Sequence, residues 1–297
     1  MKARMVSEVS LADIAEMRRR PGFAAAMRLH ARAIVTLFYG NSLLNVLMND
    51  RARAIFMLVA LYLHVGGRDG DGPGLTVGAL KDLCVALDLC SRGRCEAMLA
   101  LLRAAGYFEA VPHADRRRRL LAPTEKLFAL QHARWLAHVG ALEKIDPSAR
   151  RHRAVLDDPA FVRAFVRELG GPYVAGFRLL DHAPDLCLFV DRNAGLPILF
   201  ALALEGPEEG PFPPVAPVRL SINALATRFA VSRKHVLTLL RDAERDGLVL
   251  RGPEQDRITM LPRLRDGFES LLATILVYVS RAAERASVEV GAAELAS

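Results

Sequence analysis

Ser232-Arg233-Lys234-His235-Val236-Leu237-Thr238-Leu239-Leu240-Arg241-Asp242-Ala243-Glu244-Arg245-Asp246-Gly247 is the stretch whose reading decides the fold. Ser232 is an N-cap residue type. Val236, Leu239, Leu240 and Ala243 then recur at i, i+3, i+4 and i+7, the spacing of one helix face. Gly247 supplies the left-handed residue that stops such a helix, and Leu248-Val249-Leu250 follows as a short apolar segment. The same design occurs once more. Ser91-Arg92 opens it, Cys95, Met98, Leu99 and Leu102 form its apolar face, Gly106 ends it, and Tyr107-Phe108 follows.

The repeat extends outward from these two helices. Leu75-Thr76-Val77-Gly78-Ala79-Leu80 matches Leu220-Ser221-Ile222-Asn223-Ala224-Leu225. Asp50-Arg51 precedes an apolar helix pattern, and Asp191-Arg192 precedes another. Pro21-Gly22-Phe23 matches Pro159-Ala160-Phe161. A tandem duplication follows, with one unit over 10–140 (core 50–128) and a second over 150–287 (core 191–265).

Within one unit the signals read helix, loop, helix, helix, hairpin, helix. Thr76 caps Val77 to about Leu87, and Ser91 caps Arg92 to Ala105. Tyr107–Val111 and Leu120–Ala122 read as strands around a turn, and a helix follows from Thr124 to about Val139. In the second unit Ser221 and Ser232 cap the paired helices. Leu248–Arg251 and Arg257–Met260 flank a turn, and a last helix runs from about Arg263 to Ala286. The fold class is therefore mainly α with small β-hairpins. The flanking segments Leu11–Leu47, Phe161–Leu180 and Phe268–Ala286 read as helices of a shared core.

Composition narrows the function. Hydrophobic residues make up 52% of 297, enough for two cores, and aromatics only 6%, so those cores should be aliphatic. The N-terminal segment is charged and has no apolar core, and no run supplies the ~20 apolar residues of a membrane span. A cytoplasmic, nucleoid-associated protein without a membrane role is expected. The four cysteines read as reduced thiols. Net charge is +7, shared as +8 over residues 1–150 and −1 over 151–297, which points toward a polyanion partner.

The run Leu220-Ser221-Ile222-Asn223-Ala224-Leu225-Ala226-Thr227-Arg228-Phe229-Ala230-Val231-Ser232-Arg233-Lys234-His235-Val236 resembles bacterial winged helix-turn-helix transcription regulators of the broad MarR-like or GntR-like kind. The first unit departs from that pattern by four extra residues between Leu75 and Ser91. The resemblance implies two tandem winged helix-turn-helix domains. It also implies a third helix that enters the major groove of double-stranded DNA. The residues expected there are Ser91, Arg92 and Arg94 in the first unit, and Ser232, Arg233, Lys234, His235 and Thr238 in the second. Arg116-Arg117-Arg118-Arg119 falls at the tip and returning edge of the first hairpin, where arginine suits a narrow minor groove. Arg257 stands on the second hairpin beside acidic residues. The first unit should then supply most of the phosphate attraction.

One chain with two reading heads is a pseudo-dimer. The alternative is a homodimer through the terminal helices. A protein–protein interaction module or a replication initiator is the alternative function. Enzyme readings find no support. The histidines stand outside any HExxH or Cys-pair setting, no phosphate-cradling glycine loop follows a strand, and no nucleophile elbow is present. No cofactor or metal is expected, and no residue names a small-molecule effector.

Overall fold

A computed structural model describes residues 8–38, 51–66, 74–112, 119–253 and 256–296. The protein is mainly helical, with small antiparallel sheets. In chain order the helices are α1 (Leu11–Arg19), α2 (Phe23–Phe38), α3 (Arg51–His64), α4 (Val77–Ala86), α5 (Arg92–Ala104), α6 (Glu125–Leu142), α7 (Arg150–Ala154) and α8 (Pro159–Val174), followed by α9 (Cys187–Val190), α10 (Gly195–Leu204), α11 (Ile222–Arg228), α12 (Arg233–Arg245) and α13 (Pro262–Ala296). The strands are β1 (Phe108–Val111), β2 (Leu120–Pro123), β3 (Val218–Arg219), β4 (Val249–Arg251) and β5 (Arg257–Met260). No single helix among the described residues is long and apolar enough to cross a membrane.

The chain folds into two compact units, and neither follows the contiguous division 10–140 and 150–287. The larger comprises Met1–Arg51, Ala137–Arg150 and Arg178–Ser280. The smaller comprises Ala52–Leu136, Arg151–Phe177 and Arg281–Ser297. The sequence repeat pairs α2 with α8 and α3 with α10, yet the packing partners are crossed. In the larger unit α2 covers α10. The reason is composition: α10 is buried along almost its whole length, from Gly195 through Ala203. It needs cover on every side, and α2 presents Phe23, Ala26, Met27, Ala31, Ile34 and Val35 as a buried stripe. Full burial of each large aliphatic or aromatic side chain is worth ~1.5–3 kcal/mol. In the smaller unit α8 lies against α3, with Gly170 beneath the Tyr62 ring. Trp135, Phe161 and Phe165 fill that core, with ring centroids 5.6 and 5.7 Å apart.

Two further departures concern the flanking helices. The Leu11–Leu47 helix breaks after α1, where Arg20 is extended and Gly22 takes φ +84°. A Cβ on Gly22 would stand 2.1 Å from the Lys144 carbonyl oxygen, so close approach as well as conformation demands glycine. Residues 39–47 lie outside the described residues. The last helix continues ten residues beyond Ala286, to Ala296.

Each unit carries a capped helix pair followed by an antiparallel hairpin. Ser91, Ser221 and Ser232 each cap their helix through the side-chain oxygen. Gly106 and Gly247 take φ +78° and +69°. Tyr107 N–H donates to Leu102 O at 2.9 Å, and Leu248 N–H donates to Ala243 O at 2.8 Å, the same closure of the helix end. In the larger unit β3, β5 and β4 form a three-stranded antiparallel sheet in that order. In the smaller unit β1 pairs β2, and Thr76 bridges Leu120 where β3 has its counterpart. The four extra residues of the first repeat are resolved by helix lengths: α4 has 10 residues against 7 in α11. The remaining residue enlarges the turn.

Candidate nucleic-acid interface

In the larger unit the exposed face of α12 is set by its burial pattern. Val236, Leu239, Leu240 and Ala243 point into the core, so Arg233, Lys234 and Arg241 stand in solvent and Thr238 is half-buried. Lys234, Thr238 and Arg241 follow at i, i+4 and i+7, one stripe along the helix. None of Arg233, Lys234 and Arg241 has an ion-pair partner among the described residues. Arg233 also borders an open cavity of about 790 Å³ whose wall includes Arg219 and Arg228. Ser232 accepts a hydrogen bond from His235 N–H at 3.0 Å. The His235 ring turns inward, its Nε2 2.8 Å from the Asn193 carbonyl oxygen, where only a protonated nitrogen can donate.

The hairpin below α12 is electrostatically closed on one edge. Arg251 Nε donates to Glu244 Oε2 at 2.7 Å, and Arg251 N–H donates to Oε1 at 3.1 Å. That pair holds the Glu244 carboxyl below the usual carboxylate range, chiefly through the side-chain hydrogen bond from Arg251. Arg257 is exposed at the start of β5. Arg219 pairs with Asp256 at 3.3 Å.

In the smaller unit Ser91, Arg92, Gly93 and Arg94 are exposed at the start of α5, and Ser91 Oγ accepts from Arg94 N–H at 3.3 Å. Their charge is engaged locally. Arg92 pairs with Asp82 on α4, and Lys81 pairs with Glu96 on α5. The hydrogen bond from Lys81 holds the Glu96 carboxyl below its ordinary value. Arg119 is exposed, and with Arg103 and Glu96 it borders a groove of about 250 Å³ between α5 and the hairpin. Arg116, Arg117 and Arg118 lie outside the described residues. Behind the α4–α5 turn the Cys84 thiol hydrogen-bonds Cys95, which pushes Cys84 up and draws Cys95 down.

Sequence reasoning missed Arg103 and Arg241. Both sit a full turn or more beyond the capped end of their helices, and only the burial of the opposite face brings them onto the exposed stripe. It also missed the acidic partners Asp82 and Glu96. Comparison with known proteins found no family model, curated protein or solved structure that matches this chain.

Proposed function

We propose that this chain is a sequence-specific double-stranded DNA-binding transcription regulator of bacterial, cytoplasmic type, carrying two winged helix-turn-helix heads in one polypeptide. The observation that carries the reading is the α12 face. Arg233, Lys234 and Arg241 project from a helix whose N-terminus is capped and whose opposite side is core. The major groove admits a helix of this size, arginine suits guanine edges, and lysine suits phosphate. Helix pairing followed by a hairpin in both halves supports the second head. The crossed packing of α2 on α10 and α8 on α3 supports a covalent pseudo-dimer. It makes each unit depend on both halves of the chain.

The head in the larger unit is the principal reader, reversing the order expected from the charge of residues 1–150. Local pairing of Arg92 with Asp82 and of Lys81 with Glu96 supports that order. The same pairing favours a protein-interaction role for the other head. Anisotropy with fluorescent genomic fragments at stepped salt tests the proposal. The triple variant Arg233→Ala, Lys234→Ala, Arg241→Ala should lower the salt slope by roughly 2–3, near 0.9 for each phosphate no longer neutralised. An unchanged slope and affinity would refute it.

A further inference from the structure

The smaller unit holds a cavity of about 520 Å³ that the DNA reading does not use. Its body is apolar: Phe128 and Trp135 from α6 face Leu156 and Val162 across it. Its polar lining residues are His64, His132, Asp157 and Arg163. That volume lies within the ~300–1,000 Å³ of small-molecule pockets, whose pattern is apolar walls with a few convergent polar groups.

These polar groups are unevenly engaged. Arg163 is exposed and has no hydrogen-bond or ion-pair partner among the described residues. The buried Nε2 of His132 has no hydrogen-bond partner among the described residues. Asp157 Oδ1 lies 3.1 Å from it, an ion-pair distance, so this nitrogen already faces a carboxylate. An unpaired guanidinium beside an apolar chamber is complementary to an acid with an apolar body.

We infer that this cavity binds a small organic monocarboxylate with an apolar, preferably aromatic, body. The carboxylate takes Arg163. The body stacks among Phe128 and Trp135. This assignment stands apart from the DNA reading, since every lining residue belongs to the smaller unit and none lies on α5 or the hairpin.

Trp135 is the chain's single tryptophan, so its emission reports on the cavity directly. The test titrates the full-length protein with 4-phenylbutyrate, with its neutral amide, and with decanoate. Trp135 emission and the thermal unfolding midpoint are both followed. The acid should change emission saturably and raise the midpoint, and it should bind at least about tenfold tighter than the amide, as a charge-assisted bond predicts. Arg163→Gln should erase that preference, and Ala129→Phe, which narrows the cavity from an exposed helix position, should weaken both aromatic ligands. Decanoate binding as tightly as phenylbutyrate would place the specificity in the carboxylate and chain length, still within the monocarboxylate class. Equal binding of acid and amide, or no response of either readout to any of the three compounds, would overturn the inference.

Discussion

Arg92 on α5 donates a hydrogen bond to Asp82 on α4, across the turn that joins the two helices. Both side chains are more than half exposed, so the pair adds little to stability, typically ~0–1 kcal/mol. Its consequence is electrostatic. The carboxylate cancels the cation that a phosphate would otherwise meet. Asp82→Ala should therefore strengthen DNA binding and steepen its salt dependence by about one neutralised phosphate, ~0.9 in slope. The urea midpoint should barely move. Anisotropy titrations of the variant check the first, and denaturation the second.

Ala230 takes φ +51° in the turn between α11 and α12, and Asp88 takes φ +53° in the corresponding turn of the other pair. Left-handed backbone costs an ordinary L-residue ~1–2 kcal/mol, and asparagine or aspartate less. Ala230 bears that cost without a side chain able to offset it. Ala230→Gly should raise stability by roughly 0.5–1 kcal/mol, after the larger entropy of glycine in the unfolded chain is subtracted. A β-branched residue at 230 should lower it by more. Urea unfolding of the three proteins side by side gives the sign and the order.

What could be read ahead of the structure was local. Ser91, Ser221 and Ser232 cap as their positions imply, and Gly106 and Gly247 end their helices in left-handed conformation. These signals lie within four residues of the groups they satisfy. Partner choice between helices is different in kind. The stripe from Phe23 to Val35 matches any apolar surface of the right width, so nothing local distinguishes α3 from α10 as its mate. The Arg92–Asp82 and Lys81–Glu96 pairs span ten and fifteen residues, and such pairs depend on how α4 crosses α5. The charge of the first half was therefore legible as a sum, and its local pairing at Lys81 and Arg92 was not. Four extra residues in the first repeat cast doubt on its turn, yet three of them lengthen α4 without disturbing the geometry beyond it.

Glu244 ties α12 to β4 through Arg251, and its carboxyl is depressed below the ordinary range by that hydrogen bond. A depressed carboxyl contributes stability that is present above its unfolded pKa, ~4.3, and is lost as pH falls through its folded value. Glu244→Gln should leave a flatter dependence of the urea midpoint on pH below about 4.5. Near neutrality the same variant should be less stable than the wild type, with the gap closing on acidification. A gap that stays constant from neutral to acid pH would mean that the charge of Glu244 is not what Arg251 recognises.

Adjacent glycines in α8 separate packing from propensity. A Cβ on Gly170 would stand 2.5 Å from Tyr62 Cδ2 and 2.7 Å from Tyr62 Cβ, whereas on Gly171 it would stand 4.0 Å from Tyr62 Cε2. Tyr62 is only 8% exposed, and the clash involves its own Cβ, which moves only with the α3 backbone. Gly170→Ala should therefore cost ~1–3 kcal/mol, the usual penalty for overfilling a packed site. Gly171→Ala meets ordinary van der Waals distance and should gain up to ~1 kcal/mol from helix propensity. Opposite signs at neighbouring positions would establish that α8 and α3 are pressed together at Tyr62. The same sign at both, measured by urea unfolding, would place α8 elsewhere and remove the crossed pairing on which the pseudo-dimer rests.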